Sequence, residues 1–341
     1  MKKLIIIGGG PAALILAAEL DTKKYKVTLF DKKKTVGRKF LVAGEGGLNL
    51  TYNASLEALT NQYFPREFMA PVLRQFTNQD LMTWLSKLEI PTFIGSSNRI
   101  FPELGIKPIE VLNKITTYIS ERDIEFQLDT KWEGWNEEGH LCFHGMEDIN
   151  AEIVVFALGG ASWQVTGSDG DWRKNFETHG IKVQPFRAAN CAFEVDWGKN
   201  FIAKHEGKPL KNIALTFDGH CSKGELNISK FGLEGNAIYA LSQKIQEKLL
   251  DEETVMVYLD LKPTMTIDQL KAKYKRSHRA KVTDVLNKDL NLDRAAISLL
   301  KQCCDKETFS NTDMLVKTIK SVPIVIKAAG ELDEAISTLG G

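Results

Sequence analysis

The 341-residue sequence predicts an α/β protein: a domain on a parallel sheet, with a smaller α+β domain spliced into it. Three stretches predict this. "LIIIGGGPAALILAAEL" (Leu4 to Leu20) joins an apolar β-branched run to three glycines and then to an Ala/Leu-rich segment. "KVTLF" (Lys26 to Phe30) is a second short apolar run, ending at Asp31. "AEIVVFALGGAS" (Ala151 to Ser162) is a third, ending at Gly159-Gly160. Near-continuous apolar runs suit strands buried on both faces, and a helix between two of them is the crossover that parallel pairing requires.

The opening stretch follows Met1, Lys2 and Lys3, so an export signal is the first alternative. Such a signal needs an unbroken apolar helical region and a small-residue cleavage site. Gly8, Gly9, Gly10 and Pro11 interrupt this run. Each helical glycine costs about 1 kcal/mol relative to alanine and an interior proline about 3. Glu19 adds a charge where cleavage would occur, and a membrane span needs about 20 uninterrupted apolar residues. A strand, a tight turn and a helix account for every residue instead.

Gly8-Gly9-Gly10-Pro11-Ala12-Ala13 fits G-x-G-x-x-[G/A]. In this pattern Gly8 permits the turn, Gly10 lets a diphosphate approach the backbone, and Ala13 lets the helix lie close to the strand. The first helical N–H groups then face the phosphates, and Pro11 surrenders an N–H that would be unpaired anyway. Asp31 follows the glycines by about 20 residues, where such folds hold ribose hydroxyls. The series strand, glycine turn, helix, strand, acid predicts dinucleotide binding.

Composition bounds the rest. Lys plus Arg and Asp plus Glu both number 44, which offers no global attraction to nucleic acid or an anionic membrane. The five cysteines, at 142, 191, 221, 303 and 304, form no C-x-x-C pair. That predicts a reducing, cytoplasmic compartment and no redox disulfide.

After Asp31 comes "TVGRKFLVAGEGGLNLT" (Thr35 to Thr51), glycine-rich with Arg38 and Lys39, a loop suited to a long ligand and its diphosphate. Trp132 to Trp135 and His140 to Met146 read as a hairpin beside the sheet. Helical patterns fill Leu56 to Leu88 and Pro108 to Arg122. From Asn190 short strands begin: Cys191 to Val195, Ile213 to Phe217 and Glu225 to Ser229, with Asp218-Gly219 as a turn. Ile238 to Leu250 reads as a helix, Thr254 to Leu259 as a strand, and Ile267 to Thr318 as mostly helical. Ile324 to Ala328 and Ala335 to Thr338 return to strand character. The expected domains are therefore 1–190 with 321–341, and an insert at 191–320 whose helical part covers about 265–318.

The chain resembles bacterial NAD(P)/FAD-dependent oxidoreductase flavoproteins with a β-barrel and helical insert, which include bile-acid dehydro-reductases. The segments carrying the resemblance are "GGGPAA", "GRKFLVAGEGGLNLT", "SSNRIFP", "ALGGASWQVTGSDGD" and "GELNISKFGLEGNAIYALS". It implies a Rossmann-like FAD-binding domain of the glutathione-reductase type. Gly8, Gly10, Pro11, Ala12, Asp31, Arg38, Lys39, Gly44, Asn49, Leu50 and Gly159 would lie along the FAD, and Trp132 would contribute backbone near the adenine. Many relatives read G-G-G-R-C-N where this chain has Gly44 to Asn49, so the arginine and cysteine have no counterpart here. Relatives also continue beyond "AISTLGG" (Ala335 to Gly341) into a further strand, glycine turn and helix. Weaker FAD retention is the expectation for the chain without them.

The expected activity is hydride transfer from NAD(P)H through flavin to a small organic substrate such as an activated alkene, between the FAD and insert domains. NAD(P)H would be a transient reductant, since the sequence holds no second G-x-G-x-x-G. Two alternatives stay open: a flavoprotein that acts on or binds RNA, and a non-catalytic FAD-binding protein. The basic run "KAKYKRSHRAK" (Lys271 to Lys281) is the sole support for RNA and reads better as a solvated helix face. His140 and His144 lack the glutamate of H-E-x-x-H, and no metal is expected. Neither spacing nor motif names a catalytic acid.

Overall fold

A computed structural model of the protein describes residues 1–44, 47–63, 65–95 and 98–341. Three stretches singled out above touch undescribed positions: Glu45 and Gly46 of the glycine-rich loop, Phe64 within Leu56 to Leu88, and Ser96 and Ser97 of "SSNRIFP". The chain divides into two compact units, Met1–Gln184 with Gly341, and Pro185–Gly340.

Unit 1 is built on a parallel sheet whose two inner strands are β1 (Lys2–Ile7) and β2 (Tyr25–Phe30). Glu125–Gln127 lies outside β2 and Ile153–Phe156 outside β1. β1 pairs with β2 from Lys2↔Tyr25 to Ile7↔Phe30, and with the other neighbour from Leu4↔Ile153 to Ile7↔Phe156. Alternate β1 side chains enter different cores, as the two-residue repeat of a strand requires. Leu4 and Ile6 pack with α1 (Pro11–Glu19) and the helix Pro108–Ser120. Ile5 and Ile7 pack with Phe30, Trp132, Leu141 and Phe143. The predicted hairpin, Trp132–Trp135 with Leu141–Phe143, covers that second face. Both faces of β1 are dry, which is why its sequence is an unbroken apolar run.

α1 lies close to the sheet because Ala13 and Ala17 are fully buried and small. Its far end is closed by polar contacts. The Trp84 indole N–H donates to Glu19 Oε1 at 2.6 Å, and the Arg122 guanidinium donates to the Leu20 carbonyl at 2.6 Å. Glu19, out of place in a signal peptide, is an exposed side chain that accepts from the buried Trp84. Among the described residues the helical pattern over 56–88 resolves into three helices, Leu56–Thr60, Arg66–Gln75 and Asn78–Lys87. Thr77 and Asp80 form a reciprocal capping box that starts the last of them.

Unit 2 carries a six-stranded antiparallel sheet. Its order is Phe193–Glu194, Gly232–Glu234, His220–Ile228, Pro209–Phe217, Val255–Asp260, Val322–Ile326. Asp218 and Gly219 join the central hairpin with φ of 45° and 73°, the left-handed pair that a tight type I′ turn needs. The outer strands meet. The Glu194 amide donates to the Ala328 carbonyl at 2.9 Å, the Lys327 amide to the Glu194 carbonyl at 3.0 Å, and Phe193 bridges Ala329. The sheet thus closes into the barrel implied by the resemblance, and no strand edge is left unpaired along this seam. Helices between 267 and 320 bury Leu270, Leu299, Leu300, Leu315 and Ile319 against barrel residues such as Leu215, Val257 and Ile324.

Both boundaries differ from expectation. Residues 185–190 and 321–340 were expected with the dinucleotide-binding domain, yet they belong to unit 2. Val322–Ile326 is a barrel strand bonded to Val255–Asp260, and Ser337–Leu339 pairs with Arg187–Ala189. Apolar alternation marks a strand but not its partner, so the sequence could not assign these two to a sheet.

Gly8 and Gly232 are glycines that the protein itself requires. Gly8 has φ +108°, and a Cβ there would stand 2.3 Å from the Ala157 carbonyl oxygen. A Cβ on Gly232 would stand 1.8 Å from the Phe193 carbonyl oxygen. Gly8→Ala and Gly232→Ala are each expected to cost about 2–4 kcal/mol of stability, measured by chemical denaturation of the ligand-free protein. A loss below about 0.5 kcal/mol would contradict the crowding seen at these backbones.

Candidate functional site

From β1 the chain passes to β2 on one side, while Ile153–Phe156, much later in the sequence, lies on the other side of β1, so the strand order reverses between these two. Open α/β sheets form their ligand crevice at such a switch point. A cleft of about 420 Å³ lies here.

Its floor is the glycine turn, and each glycine there has a different reason to be one. The Gly8 amide donates to the Phe30 carbonyl at 2.8 Å, and its missing Cβ makes room for Ala157. The Gly9 amide donates to Asp31 Oδ2 at 2.6 Å, while the Gly37 amide donates to the Gly9 carbonyl at 2.8 Å. A Cβ on Gly9 would stand 2.6 Å from the Val36 side chain. Gly10 is different: no heavy atom lies within 4 Å of where its Cβ would be. Its φ of −78° and ψ of 177° suit any residue. Nothing in the fold asks for glycine there; the open space beside it belongs to the cleft.

Gly10 is also the N-cap of α1, with no side chain to cap it and Pro11 next. The positive end of the helix macrodipole and its unpaired first-turn amides can therefore receive an anion. These residues fit the diphosphate of a dinucleotide.

Asp31 ties the turn to the next strand. Its Oδ2 accepts from Gly9 N, and its Oδ1 accepts from Lys33 N at 2.7 Å. Burial raises its pKa above the ordinary 3.8, against the lowering effect of those two amides and of Lys32 and Lys33. Each carboxylate oxygen keeps a second lone pair, enough for ribose hydroxyls.

The segment after Gly159 is strapped along the cleft. Lys39 Nζ donates to Ser162 Oγ at 2.7 Å and to the Ser162 carbonyl at 3.1 Å. Lys32 pairs with Asp169 at 2.6 Å, and the Trp172 indole donates to the Gly159 carbonyl at 3.1 Å. Trp132 is 6% exposed, its ring held by Trp135 at 4.8 Å and Phe156 at 5.0 Å.

Of the twelve residues expected along the cofactor, Gly8, Gly10, Pro11, Asp31, Arg38, Lys39, Trp132 and Gly159 line this cleft. Ala12, Gly44, Asn49 and Leu50 do not. Ala12 is exposed on the first turn of α1. Gly44 ends α2 (Arg38–Gly44), and its missing Cβ makes room for Pro108, whose ring would be 2.5 Å away. Asn49 is exposed, and the Leu50 amide donates to the Ile100 carbonyl at 2.9 Å. The cleft also holds residues not expected from the sequence, among them Lys32, Ser168, Trp172 and Asn175. Lys32 was foreshadowed by its position beside Asp31. Asn175 lies on a helix, Arg173–Thr178, with no motif of its own.

Other features noted in the sequence have local partners. His144 faces Glu133 at 3.2 Å, and His140 faces Glu138 at 3.4 Å. Among the described residues no group of three His, Cys, Asp or Glu is placed to hold a metal ion. Cys303 is held inert by burial, its pKa pushed up to about 11. Among the described residues no helix is long and apolar enough to cross a membrane.

Comparison with known proteins bears on this arrangement. The chain is 24% identical over 285 residues to 3-dehydro-bile acid delta(4,6)-reductase of Clostridium scindens, covering 80% of this chain and 67% of the relative. It is 25% identical over 271 residues to ribosomal RNA dihydrouridine synthase of Haemophilus influenzae, covering 78% and 65%. The chain thus spans about two thirds of the length of these curated relatives. Among solved structures, the open conformation of a flavocytochrome c3 fumarate reductase matches with a TM-score of 0.44 at 14% identity, over 75% of this chain and 52% of that one. A family model described as HI0933-like protein Rossmann domain matches residues 2–341. The chain therefore belongs to the HI0933-like family, and its Rossmann-type, FAD-binding fold is the one that the parallel sheet, glycine turn and switch-point cleft describe.

Proposed function

We propose that the protein is an FAD-dependent oxidoreductase that takes hydride from NAD(P)H and reduces a carbon–carbon double bond activated by a carbonyl. The observation that carries the cofactor is Gly10, a glycine the fold does not need, beside open space at the N-terminus of α1. In this reading the Gly9-Gly10 turn and first-turn amides of α1 hold the diphosphate. Asp31 accepts from the ribose hydroxyls, and Lys39 and Lys32 keep the segment after Gly159 in place through Ser162 and Asp169. When bound, the flavin ring supplies the hydride chemistry, while the protein positions it and sets its surroundings. The substrate class is supported by two relatives: "delta(4,6)-reductase" and "dihydrouridine synthase" both describe adding hydrogen across a ring double bond.

Ribosomal RNA as the substrate is the second reading, favoured by one relative's name and by the basic stretch 271–281. That stretch is partly neutralised: Lys271 pairs with Asp313 at 2.8 Å and Arg279 with Asp289 at 3.0 Å. A small conjugated substrate is the stronger reading.

Three measurements follow. Gly10→Ala should leave the unfolding midpoint unchanged while weakening FAD binding roughly ten- to a hundredfold, since its Cβ meets ligand and not protein. A midpoint drop matching that of Gly8→Ala would refute the assignment. Affinity for FAD should fall as pH drops through the Asp31 pKa, beginning above the ordinary 3.8 because burial raises it. The sign follows from the ionised form being the acceptor: binding is full above that pKa and lost below it. Asp31→Asn should bind weakly and lose the inflection. In stopped-flow mixing, NADH or NADPH should bleach the bound flavin, and a conjugated enone should restore its colour. A protein that stays colourless with excess FAD refutes the cofactor. Reoxidation by unmodified ribosomal RNA but not by enones would select the second reading, and no turnover with any acceptor would leave a non-catalytic binding protein.

A further inference from the structure

We propose that a second cavity, formed where three helices of unit 1 end, binds a small α-amino acid as its zwitterion. The cavity measures about 240 Å³ and lies at the end of α1 far from Gly10. That helix has nine residues and so spans about 14 Å, which keeps the cavity apart from the dinucleotide cleft and independent of any cofactor there.

Three charged side chains line it, each at a different helix end. Glu19 closes α1, Lys87 closes Asn78–Lys87, and Arg122 follows Pro108–Ser120. None neutralises another. Arg122 donates only to neutral oxygens, the Leu20 carbonyl at 2.6 Å and the Tyr118 hydroxyl at 3.0 Å. Among the described residues neither Arg122 nor Lys87 forms an ion pair, and the Arg122 Nε–H has no partner. That N–H is shielded and reaches no ligand. The charge is shared over the whole guanidinium, and each outer nitrogen keeps a second N–H. Glu19 gives one oxygen to the Trp84 indole at 2.6 Å, and among the described residues its other oxygen has no partner. A half-buried cation without a counter-ion is costly, and a bound carboxylate offsets that cost.

The charge pattern selects the ligand. Two cations suit a carboxylate, as does the Tyr118 hydroxyl proton, which the bond from Arg122 leaves free. A simple anion would also meet the Glu19 carboxylate and the negative C-terminal ends of the helix macrodipoles. An ammonium group on the same molecule turns both repulsions into attractions. The volume falls below the roughly 300–1,000 Å³ of sites for drug-sized ligands, and the walls are mostly polar. Alanine or serine meets these limits.

The test is calorimetric titration of the full chain with L-alanine and L-serine. Propionate and ethylamine serve as halves of alanine that carry one charge each. At least one amino acid should bind with a Kd below about 1 mM, and each half at least roughly tenfold more weakly. Lys87 is exposed and without a partner among the described residues, so Lys87→Met should leave the unfolding midpoint unchanged and weaken amino-acid binding roughly tenfold. Glu19→Gln keeps an oxygen for the Trp84 indole; it should weaken amino-acid binding without weakening that of propionate. No binding of either amino acid at about 10 mM would overturn the inference. Propionate binding as tightly as alanine would overturn it too, by making the cavity a plain anion site. Undiminished amino-acid binding in both variants would place the ligand elsewhere, with the same consequence.

Discussion

The Asp31 carboxylate accepts the Gly9 amide on one oxygen and the Lys33 amide on the other, both at under 3 Å. That bridge holds the glycine turn against the end of β2. Gly8, in its left-handed conformation, holds the same turn against Ala157 at the end of Ile153–Phe156. Three strand ends are thereby drawn to one point, and the N-terminus of α1 is aimed at the space between them. A carboxylate pulled out of water is costly, which is why its pKa rises; two short amide bonds offset much of that cost. The side chain that fixes the turn geometry also lines the cleft.

Why the ties hold is a matter of what lies beneath them. β1 buries Leu4 and Ile6 among helices and Ile5 and Ile7 among aromatic residues, so it cannot slide without moving two cores. Close-packed cores have few near-isoenergetic arrangements. The turn that follows β1 inherits that rigidity, and with it the position of the α1 N-terminus. The segment after Gly159 is held by one part-buried ion pair, one indole N–H and a bond from Lys39 to the buried Ser162.

Unit 2 solves a different problem. Six short antiparallel strands would leave two exposed edges, and the hydrogen bonds of Glu194 with Lys327 and Ala328 close them on each other. The seam joins positions more than 130 residues apart in sequence, and Gly232 must lack a side chain for the neighbouring crossing to form.

How much of this was legible beforehand depends on range. Local chemistry was written into the sequence. The apolar run of β1, the glycine turn, the small Ala13 and the Asp218-Gly219 hairpin all follow from steric limits within a few residues, and the structure has them where the spacing put them. Eight of the twelve expected cofactor residues meet in one cleft for the same reason: most of them belong to the strand–turn–helix motif or to the strand ends it joins. What only the tertiary structure decided was long-range. Periodicity could not tell that Val322–Ile326 pairs with the barrel, because alternation specifies a face and never a partner. Nor could it separate the glycines: Gly8 and Gly44 make room for protein atoms distant in sequence, while Gly10 makes room for none. A missing side chain looks the same in a sequence whether the space it leaves is filled by the chain or kept for something else.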